Sequence, residues 1–247
     1  MMAGVQAVFY REMLMLIRRI GGLGYLFSGL LFPMIYLLAF GWGLGDSVAV
    51  AGGYIAYLAK GMLAITVMMN AFQQTALSVS AARFYYRTFA VLRLSPIHDG
   101  AIVLGIALAG TVRALLAAAV VFVAAKLFFG IAIVTGPGLL GLVLTAFAFA
   151  AFGVAVGLSI KGQEQFSIVI NFFITPMTFF CGSFFPITNL PAVVQQIVRF
   201  LPLSLTNQLL QATSLVGEAG IAAFALVFFM MVIYLYSTYR VHNYSEF

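Results

Sequence analysis

Charge is what this chain has least of. Only 7% of its 247 residues are Asp, Glu, Lys or Arg, where an ordinary soluble domain carries about 25%. The hydrophobic share is 64%, more than a globular core of this length can hide, so the solvent for most of the chain is lipid. Cysteine is nearly absent too. The single Cys181 excludes an intrachain disulfide. The two histidines, His98 and His242, lie far apart, and no Cys/His pair has ligand spacing, so no metal site and no cofactor of the chain's own are expected. The six carboxylates are Glu12, Asp46, Asp99, Glu164, Glu218 and Glu246. All map to loops, tails or span ends, and none forms an acid–base couple within a span. The phosphate-binding pattern GxxxxGK[ST] is missing, so nucleotide hydrolysis cannot reside in a loop of that type. Arg11, Arg18 and Arg19 interrupt the first apolar pattern, which does not read as a cleaved signal peptide.

What is present is a series of apolar runs. The sequence predicts an all-α, polytopic membrane protein forming a single domain over 1–247, with spans near 23–42, 53–75, 102–125, 139–160, 165–185 and 220–239. Residues 3–20 read as an amphipathic helix lying along the membrane surface, with Val5, Phe9, Met13, Leu16 and Ile20 as its stripe. Between the last two spans, Pro186, Pro191 and Pro202 divide a segment that reads as short, re-entrant helices. The small residues of the fourth span, among them Gly153 and Gly157, suit close helix packing.

The net charge of +6 would suggest nucleic acid in a soluble protein. Here the basic residues sit at span ends, so they report topology and contact with anionic lipid, and no nucleic-acid partner is expected. With both termini in the cytoplasm, the inside segments hold Arg11, Arg18, Arg19, Arg83, Arg87, Arg93, Lys161 and Arg240, and the outside segments hold only Lys126 and Arg199. The arginine-rich stretch 78–99 is therefore cytoplasmic. It is basic and aromatic and ends at Pro96, which suits a helix of about 80–95 offered to a cytoplasmic partner; lipid attraction alone is the alternative, but it does not require a defined, proline-stopped helix.

Polar residues within spans are the other candidates. Arg113 lies mid-span, where a charge costs about 2.5–3.5 kcal/mol on insertion scales. It either meets an anionic group of a substrate or hydrogen-bonds structurally inside the bundle. Lys60 either faces a substrate path or snorkels to the interface. Asn70, Asn171 and Thr175 are further candidates for a substrate path.

The pattern resembles the permease subunits of ABC-2-type exporters, above all those of the nodulation, polysaccharide and drug export type. The resemblance rests on Phe172–Ser204, FFITPMTFFCGSFFPITNLPAVVQQIVRFLPLS, on FGWGLG at Phe40–Gly45, on YIAYLAKGM at Tyr54–Met62, and on the stretch Arg87–Pro96. Many relatives carry an acidic residue in that last stretch, where this chain has Ala90. The resemblance implies a multi-pass protein of the prokaryotic inner membrane that is not itself an enzyme. It would work as a homodimer bound to two copies of an ATPase subunit, which holds the ATP and Mg. Arg83, Phe84, Arg87, Leu92 and Arg93 would form the coupling helix that meets that subunit. The cargo would be an amphiphilic, lipid-linked, glycan or drug-like molecule. An ion-coupled carrier and a membrane-embedded lipid-modifying enzyme are the alternatives.

Overall fold

A computed structural model describes residues 2–20, 31, 33–40, 43, 53–130, 134–160 and 162–244. Asp46, Lys161 and most of the first predicted span lie outside the described residues, as do the side chains of Arg18 and Arg19. The described residues are helical without a strand. Helix α1 covers Met2–Ile20, and residues 33–40 are helical (α2). Then come α3 (Tyr54–Phe84), α4 (Thr88–Leu94), α5 (Asp99–Phe129) and α6 (Gly136–Ser159). The chain continues through α7 (Gln163–Val169), α8 (Thr175–Phe180), α9 (Ala192–Val198), α10 (Pro202–Gln211) and α11 (Glu218–His242).

Four of these, α3, α5, α6 and α11, are long and apolar enough to cross a membrane. At 31 residues each, α3 and α5 run to roughly 46 Å, beyond the ~30 Å of a hydrocarbon core. Their ends are set by local chemistry. The His98 ring accepts from the Gly100 N–H at the start of α5, and Gly130 closes that helix with φ of 69°. Thr135 accepts from the Gly138 N–H at the start of α6, with Pro137 in the first turn. The fifth predicted span is helical from Gln163 to Phe180 but carries a π-helical turn at Ile170–Ile174. Pro176 has no N–H for the carbonyl four residues back. The Thr175 N–H instead reaches the Ile170 carbonyl, five residues back.

Helix α6 is the centre. It packs against α3, α5, α10 and α11, and glycine makes the approach possible. A Cβ at Gly153 would stand 2.7 Å from the Phe72 carbonyl oxygen, and one at Gly157 would stand 2.8 Å from that of Ala76. Against α5, Gly105 leaves room for Val8 of α1. Of the predicted stripe on α1, Val5 is half-buried, and the side chains of Leu16 and Ile20 lie outside the described residues. Val8 and Glu12 are buried, with Phe9 and Met13 half-buried beside them. Cross-bundle contacts fix direction. The end of α3, α4, the start of α5, the ends of α6 and α11, and α1 share one end of the bundle. The opposite end gathers Tyr54, Gly182, Phe184 and Gln211.

Candidate functional site

At the α4 end, the basic stretch folds as two helices joined by a turn. Helix α3 stops after Phe84, and Arg87 adopts the left-handed conformation, φ 49° and ψ 23°, to start α4. Ser95 donates to the Leu92 carbonyl, and Pro96 follows. Phe89 is the buried anchor of α4 and meets the Tyr244 ring edge-on at 5.2 Å. Leu92 packs half-buried on the same apolar cluster. The opposite face is left open, with Val91 68% and Leu94 87% exposed. Tyr85 and Tyr86 are exposed beside it, as is Phe84.

The three arginines part company here. Arg83 turns inward, donating to the carbonyls of Gly157 (2.9 Å) and Ile160 (3.1 Å) and to the Tyr244 hydroxyl. Arg93 pairs with Asp99 at 2.6 Å and donates to the His242 carbonyl, while the His242 ring meets the other Asp99 oxygen. Both tie the C-terminal end of α11 to the loop region. Arg87 is exposed and makes no ion pair among the described residues. The face able to meet another molecule is thus Phe84, Tyr85, Tyr86, Arg87, Val91 and Leu94.

Arg113 is committed inside the bundle. Its Nη2 lies 2.6 Å from Glu12 Oε2 and 3.1 Å from the Glu12 main-chain carbonyl, and both side chains are buried. Ser78 of α3 donates to the same carboxylate oxygen at 2.9 Å. Sequence reasoning placed Glu12 on a surface helix without a partner. The usable signal was a carboxylate four residues after Val8 on a helix otherwise free of acid.

At the opposite end, Lys60 is half-buried and its Nζ reaches Gln211 Oε1 at 3.4 Å. Gln211 also lines an open cavity of about 500 Å³, together with Tyr57, Thr188, Asn207, Gln208 and Glu218. Its wall is hydrogen-bonded: Tyr57 donates to the Gly182 carbonyl, and the Asn207 amide donates to the Cys181 carbonyl and the Ser183 hydroxyl. Among the other path candidates, Asn70 donates to the Thr66 carbonyl of its own helix. Asn171 is exposed beside Phe172, and Thr175 is half-buried one turn further on. Among the described residues, the cavity at Gln211 is lined by none of Arg113, Lys60, Asn70, Asn171 and Thr175. Among the described residues, no group of His, Cys, Asp and Glu could hold a metal ion.

Comparison with known proteins bears on this arrangement. The model of the ABC-2 type transporter family matches residues 3–215. Nodulation protein J of Rhizobium leguminosarum bv. trifolii is 37% identical over 175 residues, 70% of this chain and 67% of that protein. Nodulation protein J of Rhizobium leguminosarum bv. viciae is 32% identical over 212 residues, 83% of this chain and 82% of that protein. Inner membrane transport permease YadH of Escherichia coli K12 is 27% identical over 172 residues, 68% of this chain and 67% of that protein.

Proposed function

The chain belongs to the ABC-2 type transporter family, and from that premise we propose that it is the transmembrane permease subunit of an ABC exporter. A separate subunit, present in two copies, binds ATP with Mg and hydrolyses it. The permease converts that hydrolysis into movement of an amphiphilic, lipid-linked, glycan or drug-like cargo out of the cytoplasm or inner leaflet. The protein lies in the prokaryotic inner membrane with the α4 end in the cytoplasm. Arg11, Arg83, Arg87, Arg93 and Arg240 gather at that end, and Lys126 and Arg199 lie toward the other, which supports this orientation. It also puts α1 and the end of α11 on the cytoplasmic side.

The observation that carries the reading is the face of α4. A seven-residue helix buries one aromatic side chain, Phe89, and leaves Val91 and Leu94 open beside two exposed tyrosines and the exposed Arg87. Aromatic, aliphatic and Arg side chains together are the composition of an interface centre. The coupling contact therefore rests on Arg87 with Phe84, Tyr85, Tyr86, Val91 and Leu94. Arg83 and Arg93 hold that surface in place, and Leu92 seats it. A second copy of the chain covers the Asn171–Phe172 face, because lipid offers an exposed amide no hydrogen-bond partner. Substrate passes between the two copies, past Asn70, Asn171 and Thr175.

The test is affinity purification of the tagged chain from native membranes in mild detergent, with ATPase assay of what accompanies it. A stoichiometric partner bearing a nucleotide-binding loop, lost in an Arg87→Glu, Leu94→Asp variant that still inserts, is the expected result. A chain that purifies alone under several mild conditions would sink the reading.

A further inference from the structure

The buried Glu12–Arg113 pair has a second connection. Glu12 Oε2 receives Arg113 at 2.6 Å and Ser78 at 2.9 Å. Its other oxygen faces Arg11 Nη1 at 3.6 Å, and Arg11 Nη2 donates to Thr88 Oγ1 at 2.8 Å. Thr88 is the first residue of α4. A polar chain therefore runs from the start of the docking helix through two adjacent residues of α1 to the interior of α3 and α5. Arg93–Asp99 also joins α4 to α5, but at the first residue of α5 and on a partly exposed surface. Arg113 lies about four turns deeper along α5.

The buried half of this chain, Glu12 with Arg113, is the part that is hard to slip. A guanidinium at 7% exposure cannot find water if the carboxylate moves away, so Arg113 must follow Glu12 or lose its charge partner. Arg113 also holds the Glu12 main-chain carbonyl, which fixes the helix and not only the side chain. Gly105 lets the two helices close to van der Waals contact beneath the pair. The two ends differ in exposure: Thr88 is open to solvent and Glu12 is not. A push on α4 is thus received at the surface and delivered to α3 and α5 within the bundle.

We propose that Glu12 is a positioning residue that transmits displacement of α4 to the spanning helices through Arg11 on one side and Arg113 and Ser78 on the other. This rests on the permease reading for the source of the push. It does not rest on that reading for the link itself.

The experiment uses the full chain in lipid nanodiscs, alone and with its copurified ATPase, in wild type, Glu12→Gln, Thr88→Val and the double variant. Thr88→Val removes only the acceptor for Arg11 on an exposed helix start, so it keeps the test alive if Glu12→Gln folds poorly. In the chain alone, Glu12→Gln raises hydrogen exchange of the α4 amides while α6 is unchanged. In the complex, each single variant retains stoichiometric ATPase but lowers its stimulation by the permease at least about fivefold. The double variant is no worse than the more severe single one, because both interrupt the same chain. Unchanged α4 exchange overturns the link. Raised exchange with full stimulation reduces the pair to an anchor and overturns transmission, as do multiplicative losses in the double variant. A wild-type chain that carries no ATPase overturns the permease reading instead, and the exchange result still decides the link.

Discussion

Arg83 closes the bundle around Tyr244. Its Nε donates to the tyrosine hydroxyl at 3.0 Å, its guanidinium lies 5.0 Å from the centre of the same ring, and its Nη1 bridges two carbonyls at the end of α6. Arg83→Ala leaves those carbonyls short of a charged donor and should cost about 2–3 kcal/mol. Arg87→Ala, at an exposed position, should stay within about 0.5 kcal/mol. Thermal unfolding of the purified chain separates them. Equal losses would mean that Arg83 is not the clasp. Arg83→Lys should rescue little, since one ammonium cannot reproduce the planar fork.

That contrast marks how far the sequence could be read. Hydropathy placed the long helices α3, α5, α6 and α11 because each is apolar over a length that lipid dictates, and the stop at Ser95-Pro96 was equally visible. The turn at Tyr85–Arg87 was not, because no Gly or Pro announces it and an arginine occupies the left-handed position. Arg83, Arg87 and Arg93 are indistinguishable by residue type. What separates them is whether the ends of α6 and α11 come within reach, and that is decided by tertiary packing. Glu12 was hidden for the same reason, since its partner lies 101 positions away.

The approach of α6 to α3 can be tested by adding one carbon. A Cβ at Gly153 meets backbone, the Phe72 carbonyl oxygen at 2.7 Å, which no rotamer change relieves. Gly153→Ala should cost about 1–3 kcal/mol. Gly136, at the start of α6, has nothing within 4 Å of its Cβ position. Gly136→Ala should be neutral, or stabilising by a few tenths of a kcal/mol. Melting temperatures that fall equally would show that the close approach is not what limits stability.

The backbone at Arg87 gives a prediction in which stability and docking diverge. A non-glycine residue held left-handed costs about 1–2 kcal/mol. Glycine removes that cost but adds freedom to the unfolded chain. Arg87→Gly should therefore keep or slightly raise the melting temperature while weakening retention of the ATPase. Arg87→Lys should keep the strain and part of the binding. If Arg87→Gly melts well below wild type, the side chain has a structural partner and the docking role falls with it.

For the pairing of two copies proposed above, exposed apolar faces on α11 and on the α7–α8 segment are rival contacts. On α11, Ile221, Phe224 and Phe228 are 66–75% exposed and purely hydrocarbon, a surface lipid satisfies. On the α7–α8 segment, Phe172 is 81% exposed and Asn171 is exposed beside it. An amide facing lipid forgoes hydrogen bonds that another helix can supply. The two-fold contact should therefore run along Asn171–Phe172. The native Cys181 is buried, so a cysteine introduced at an exposed site is the reactive one. Phe172→Cys should form an oxidative dimer in native membranes, and Phe224→Cys should remain monomeric. Cross-linking of Phe224→Cys with none at Phe172→Cys would move the dimer axis to α11 and take Asn171 and Thr175 off the substrate path.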